Sequence, residues 1–257
     1  MAETGLYLYA VSRGLDPAAL SGVPGLGGSR LGLVDHQELA AIVSTVDLEE
    51  YGEEGLRRNL EDLEWLETTA RDHDAVIHAA ASVAPTAPMR LATICLDEEA
   101  VRLRLREWYA ALVQILDRIE GRSEWSVKVF TLPQPVPAGA PPAAPSESVG
   151  GGAAYLQRKK AQAQARTAEE TAAVEAATGV HEALSSVAVA GRRLPGQDPR
   201  LSGHEGTMVH NGAYLVDAEA EHEFVRAVEQ LVADHPQVSI QLRGPWPPYS
   251  FAMLEQR

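Results

Sequence analysis

The sequence predicts an α+β protein of two domains, each with helices packed on a mainly antiparallel sheet, joined by a linker rich in Pro, Ala and Gly. Three observations predict it. Short apolar runs bounded by turn residues alternate with long stretches of helical periodicity, and this mixture occurs on both sides of residues 133–152. Those residues, PQPVPAGAPPAAPSESVGGG, hold six of the 16 prolines and almost nothing able to build a core. The domains then span 1–132 and 153–243, with a linker over 133–152 and a tail over 244–257 that carries aromatics and prolines.

In the first domain, residues 6–11 (LYLYAV) are short, aromatic and apolar, and read as a buried strand. Residues 14–28 are too rich in Gly and Pro for an element. Residues 30–34 and 39–46 read as two strands joined by the polar turn Asp35-His36-Gln37-Glu38, which makes a hairpin. Leu56, Leu60, Leu63, Leu66, Ala70, His73, Ile77 and Ala80 step by three or four, the spacing of one long helix that Pro85 closes. Residues 89–96 read as a strand, and Asp97 caps a helix with Val101, Leu105, Trp108, Leu112, Ile115 and Ile119 inward. Residues 125–132 supply the last strand, giving a sheet with its helices on one face.

Beyond the linker, residues 155–184 favour helix but carry only a thin apolar stripe at Leu156, Ala163, Val174, Ala177 and Leu184. Arg158, Lys159 and Lys160 sit in the first turns, where positive charge meets the positive end of the helix dipole. Local stability does not explain that placement. A solvated helix face is the ordinary account, and steering of an acidic partner is the functional one. Residues 187–190 and 208–216 read as strands, and 218–234 as a helix with Phe224, Val228, Leu231 and Val232 inward. Val238, Ile240 and Leu242 alternate with Ser239, Gln241 and Arg243, the pattern of a half-buried strand.

Lys and Arg total 22 against 36 Asp and Glu, a formal net charge of -14. That charge repels nucleic-acid backbones and anionic lipid surfaces, so neither is expected as a partner. One cysteine, Cys95, excludes an internal disulfide and every multi-cysteine zinc site. The start of the chain lacks the pattern of a secretory signal, and no stretch reaches the length of a membrane span. A cytoplasmic location is expected.

The candidates for chemistry reduce to packing. His73 lies between Asp72 and Asp74, but neighbours on a helix point about 100° apart, so neither carboxylate orients the ring. His73 and His78 are five apart, the wrong interval for a shared helical metal site, and His204 and His210 have no third ligand nearby. Cys95 falls in an apolar strand and reads as core. Gly25-Leu26-Gly27-Gly28 leads into a strand with no lysine after it, unlike a phosphate loop. The expectation is a protein without catalytic residues, metal or cofactor. The tail differs: Trp246, Tyr249 and Phe251 must be covered either by the protein's own domains, as an anchor, or by a partner.

The ending GPWPPYSF, the strand VSIQLRG before it, the segment NGAYLV at 211–216 and the opening LYLYAV resemble the gas vesicle accessory proteins of the GvpF/GvpL family. Residues 63–77, PMRLATIC and GRSEWSVKV agree, so the likeness spans nearly the whole chain. It covers GvpF and GvpL alike. It implies two ferredoxin-like domains and a non-enzymatic, chaperone-like assembly factor that acts in building the gas compartment that gives buoyancy. Its implied partners are the hydrophobic shell protein (GvpA-like) and other accessory proteins. One departure stands out, because the family pattern more often has alanine where this chain has Gly212. The alternative is a small-molecule sensor or enzyme on a ferredoxin-like scaffold, since a fold does not fix a function.

Overall fold

The structure, a computed structural model, describes residues 3–132, 151–197, 204 and 206–252. The linker read at 133–152 lies outside the described residues as far as position 150. The chain divides into two compact units, one built from Met1–Glu124 and Pro245–Arg257, the other from Trp125–Gly244.

In the first unit, β1 (Thr4–Arg13) is central and pairs antiparallel with β3 (Leu39–Asp47), which pairs with β2 (Leu31–His36). The hairpin turn is tighter than the sequence predicts: only Gln37 and Glu38 lie between the strands, with Gln37 at φ 55. On its other edge β1 meets two short strands, β4 (Thr86–Pro88) and β5 (Ile94–Cys95), so that of the strand read over 89–96 only Ile94 and Cys95 are strand. Both sides of β1 are irregular at one level, since its register with β3 also slips between Leu8 and Ala10.

After a short α1 (Leu48–Tyr51), two helical segments replace the long helix read from Leu56 onward: α2 (Glu53–Asn59) and α3 (Leu63–Ala81). The break has a local cause. The Asp62 carboxylate accepts from the Glu64 and Trp65 amides and so starts a new helix, which leaves Leu63 at 80% exposure. The buried stripe begins later, at Thr69, and continues through His73, Val76, Ile77 and Ala80. Asp97 caps α4 (Glu98–Ile119) through the Ala100 amide, as the sequence predicts, but Leu116 is buried and Ile115 only half-buried.

The two long helices cover opposite faces of this sheet. Val76, Ile77 and Ala80 of α3 pack with Tyr7, Tyr9, Ile42 and Val46. The other face carries Leu8 and Val11 opposite Val43 and Ala41, all buried, and α4 runs along it over β2 and β1. This corrects the expectation of helices on one face. The reason is visible in the strands: LYLYAV and LAAIV are continuous apolar runs, and a strand covered on one face alone alternates instead.

The second unit holds a sheet of order β7-β8-β6-β9, formed by β6 (Arg122–Thr131), β7 (Ala190–Arg193), β8 (Met208–Asp217) and β9 (Val238–Trp246). The strand read at 125–132 therefore sits inside this sheet and does not complete the first one. On one face pack α5 (Gly151–Val187) and α6 (Glu221–Asp234), with Ala177, Val180, Leu184, Phe224 and Val228 against Trp125, Val127, Tyr214 and Val216. Because α5 runs on through Val187, β7 begins three residues after it, later than the strand read at 187–190. Val232 of α6 is exposed, while Leu231 joins the core margin. β9 continues through Pro245, which an edge strand tolerates because no ladder bond needs its missing N–H.

Candidate functional site

The break between β4 and β5 is held open by one buried chain of hydrogen bonds. The Ala92 amide donates to Tyr7 Oη (3.0 Å), and Ala92 itself has φ 61. Tyr7 Oη in turn lies 3.0 Å from His73 Nδ1, and the His73 ring also bonds the Met89 backbone. A neutral imidazole has one N–H, which the Met89 carbonyl takes, so Nδ1 accepts from the tyrosine. Burial drives the His73 pKa down to about 4 and pushes the Tyr7 phenol well up. Both groups are therefore neutral at pH 7. The histidine pins both ends of the interruption to α3, and the stacked Tyr9 ring, 5.8 Å from it, fixes its plane.

Beside this interruption lies a pocket of about 640 Å³ lined by His73, Asp74, Met89, Leu91, Trp108 and Tyr249, among others. Trp108, which helical spacing assigns to the core of α4, is half-buried and contributes a wall of the pocket, with the Arg104 guanidinium 5.1 Å from its ring centre. Arg90, at the rim, is exposed and has no ion-pair partner among the described residues. The site is thus a mainly apolar hollow with the exposed Arg90 beside it.

The tail closes one side of this pocket. Tyr249 Oη–H donates to the Asp74 carboxylate, and burial together with that bond pushes its phenol far above its usual range. The Ser250 amide and hydroxyl donate to the two oxygens of the buried Glu124 carboxylate, each at 2.7 Å. Phe251 is 3% exposed and lies under the Arg118 guanidinium, 5.5 Å from ring centre to Cζ. Trp246 is different, 43% exposed, with the His78 ring nearly perpendicular to it at 5.9 Å. The three tail aromatics therefore divide into a buried Phe251, a half-buried Tyr249 and a largely open Trp246. Asp74 and Glu124, which receive the tail, carry no sequence signal that would have marked them.

The basic cluster lies elsewhere. Lys159 and Lys160 are exposed on α5, and the Arg158 side chain lies outside the described residues. Cys95 is buried, and burial raises its thiol pKa. His204 stacks on Phe130 with centroids 4.1 Å apart. His210 and His181 share one hydroxyl, Tyr214 Oη, at 3.1 and 2.9 Å. Burial, the second imidazole and Arg193 hold the His210 pKa down at about 4. Among the described residues no three His, Cys, Asp or Glu side chains come together as metal ligands, and no helix is long and apolar enough to cross a membrane.

Gly212 belongs to this second cluster. A Cβ there would lie 2.5 Å from His210 Nε2 and 2.9 Å from the Tyr214 ring, so glycine makes room for the shared hydroxyl. Gly212→Ala is expected to cost about 1–3 kcal/mol by overpacking, and less in a His210→Ala background. Urea denaturation of the four-member cycle checks this. Equal costs in both backgrounds would mean that the histidine does not require the glycine.

The family described as "Gas vesicle synthesis protein GvpL/GvpF" matches residues 5–253 of the chain. Gas vesicle protein L of Streptomyces sp. (strain CB03234) is 39% identical over 250 residues, covering 97% of this chain and 93% of that protein. Gas vesicle protein F of the same strain is 25% identical over 254 residues, covering 95% and 98%. The fold is similar to the crystal structure of the gas vesicle protein GvpF from Anabaena sp. PCC7120, with a TM-score of 0.67 at 19% identity and 98% of each chain covered. The chain therefore belongs to the GvpL/GvpF family of gas vesicle synthesis proteins, and its role lies with gas vesicles.

Proposed function

We propose that this protein is a cytoplasmic assembly factor that binds the hydrophobic gas vesicle shell subunit, and other accessory proteins, before or during wall formation. The observation that carries the reading is the apolar pocket of about 640 Å³ at the interrupted edge of the first sheet. A shell that excludes water needs subunits with a large apolar face, and such a face aggregates in water unless it is covered. The pocket offers Leu91, Met89 and Trp108 to an apolar side chain, and the net charge of -14 keeps a complex soluble. Nothing in this role needs catalysis. Each unit is a variant of the ferredoxin-like arrangement, a rigid platform for such a pocket. Trp246 extends the contact area, and Lys159 and Lys160, with Arg158, steer acidic patches of a partner. The higher identity to the L than to the F protein of one Streptomyces strain, 39% against 25%, supports an L-type role.

The test is co-purification of the shell protein with the intact chain and with Leu91→Asp, whose charge would sit in the pocket. The expected result is a soluble complex with the intact chain and loss of most shell protein with the variant, at an unchanged melting temperature. If the variant retains as much shell protein as the parent, the pocket is not the contact. If neither binds it, the assembly reading fails and a sensor or enzyme becomes the reading to pursue.

A further inference from the structure

Helix α5 extends far beyond the core it serves. Its buried residues begin at Ala173, and every described side chain over 155–172 is exposed. Five helical turns without tertiary contact are only marginally stable in water, so a partner surface is to be expected along them. Tyr155, Leu156 and Val174 are large apolar side chains open to solvent on this helix.

One stripe of α5 has an order that identifies the partner. Lys160, Ala163, Gln164, Thr167, Ala168, Thr171, Ala172 and Glu175 form a continuous shallow face at three- and four-residue spacing. Where α5 packs, at Ala173, Ala177, Val180 and Leu184, the core is on the other side of the helix, so the stripe stays open. Its ends are opposite charges with no ion-pair partner among the described residues, Lys160 at one and Glu175 at the other. They lie about 22 Å apart along the helix axis at 1.5 Å per residue, too far to meet within one chain. Reversed end to end, the stripe matches itself: Lys160 falls opposite Glu175, Ala163 opposite Ala172, Gln164 opposite Thr171 and Thr167 opposite Ala168. Leu156 then falls opposite Gly179. Small residues at the middle permit close helix approach, and charges at the ends set direction and register.

We propose that α5 pairs with α5 of a second copy of this chain as an antiparallel, two-fold symmetric helix pair centred between Thr167 and Ala168. A parallel pair would set Lys160 against Lys160 and Glu175 against Glu175. A two-fold antiparallel pair instead repeats the same Lys160 to Glu175 contact twice and closes, so it stops at a dimer. The proposal concerns a surface in the second unit and does not depend on the pocket of the first.

The test is sedimentation equilibrium of the full chain and three exposed-site variants. The intact chain is expected to dimerise, Lys160→Glu and Glu175→Lys each to weaken dimerisation about tenfold, and the double exchange to restore it. Cysteine placed at Thr167 in a Cys95→Ser background should crosslink two copies under oxidation, whereas cysteine at Lys160 should not. A monomeric intact chain overturns the proposal, as does a double exchange that fails to restore the dimer. Crosslinking through position 160 in place of 167 would mean a parallel pair and equally refute it.

Discussion

Phe251→Ala is expected to destabilise the first unit by about 3–5 kcal/mol, the usual cost of emptying a site filled by a buried phenylalanine. The side chain is 3% exposed and also holds the Arg118 guanidinium against its ring, so the loss includes both burial and a cation–π contact. Tyr249→Phe removes only the hydroxyl, but with it goes a hydrogen bond to a charged carboxylate, and about 1.5–3 kcal/mol should be lost. Trp246→Ala should cost less than either, because that ring is 43% exposed. The order Phe251, Tyr249, Trp246 can be read from melting curves of the three variants. A larger shift for Trp246→Ala than for Phe251→Ala would show that the turn at Tyr249–Phe251 does not carry the tail.

Acid is expected to unfold the protein through its buried imidazoles. His73 and His210 each have a pKa of about 4 in the folded chain against about 6.5 when exposed. Between those values the unfolded chain binds a proton that the folded chain refuses. Stability is therefore complete above pH 6.5, falls as the pH drops towards 4 and stays lost below it. Each histidine contributes about 3 kcal/mol to that loss. Urea titrations of the parent and His73→Gln at pH 7 and pH 4.5 isolate the first contribution, since carboxylates act alike in both chains. The variant should lose markedly less stability on acidification. Identical losses would mean that His73 takes up its proton without cost.

The element types were largely legible in the sequence because strong periodicity and turn residues mark them, as the hairpin at 31–47 and the Asp97 cap illustrate. What was not legible depended on contacts far apart in the chain. Spacing alone could not show that Asp62 would outcompete a continuous helix, because Leu60 and Leu63 keep the same period across the break. The reduction of the strand read at 89–96 to Ile94 and Cys95 alone follows from a tyrosine 85 residues away that takes the Ala92 amide. His73 was readable as a packed residue, but its grip on Met89 and Tyr7 was not. Trp108, which lines the pocket beside that contact, looked like one more core position on α4. Opposite coverage of the first sheet was written in the unbroken apolar runs of β1 and β3, which alternation-based reading undervalues.

The return of the tail to the first unit also sets a timetable. Ser250 binds a carboxylate 126 positions earlier in the chain. At about 5–20 residues per second, roughly 6–25 s separate the synthesis of Glu124 from that of its partner. During this interval the nascent first unit has its strands and both long helices, while Asp74 and Glu124 face water and the hollow beside Trp108 lacks one wall. The second unit, encoded in between, must be made before that wall arrives. Completion of the first unit therefore waits until the second unit has been translated, and a chain stopped short within the second unit would present an unfinished pocket.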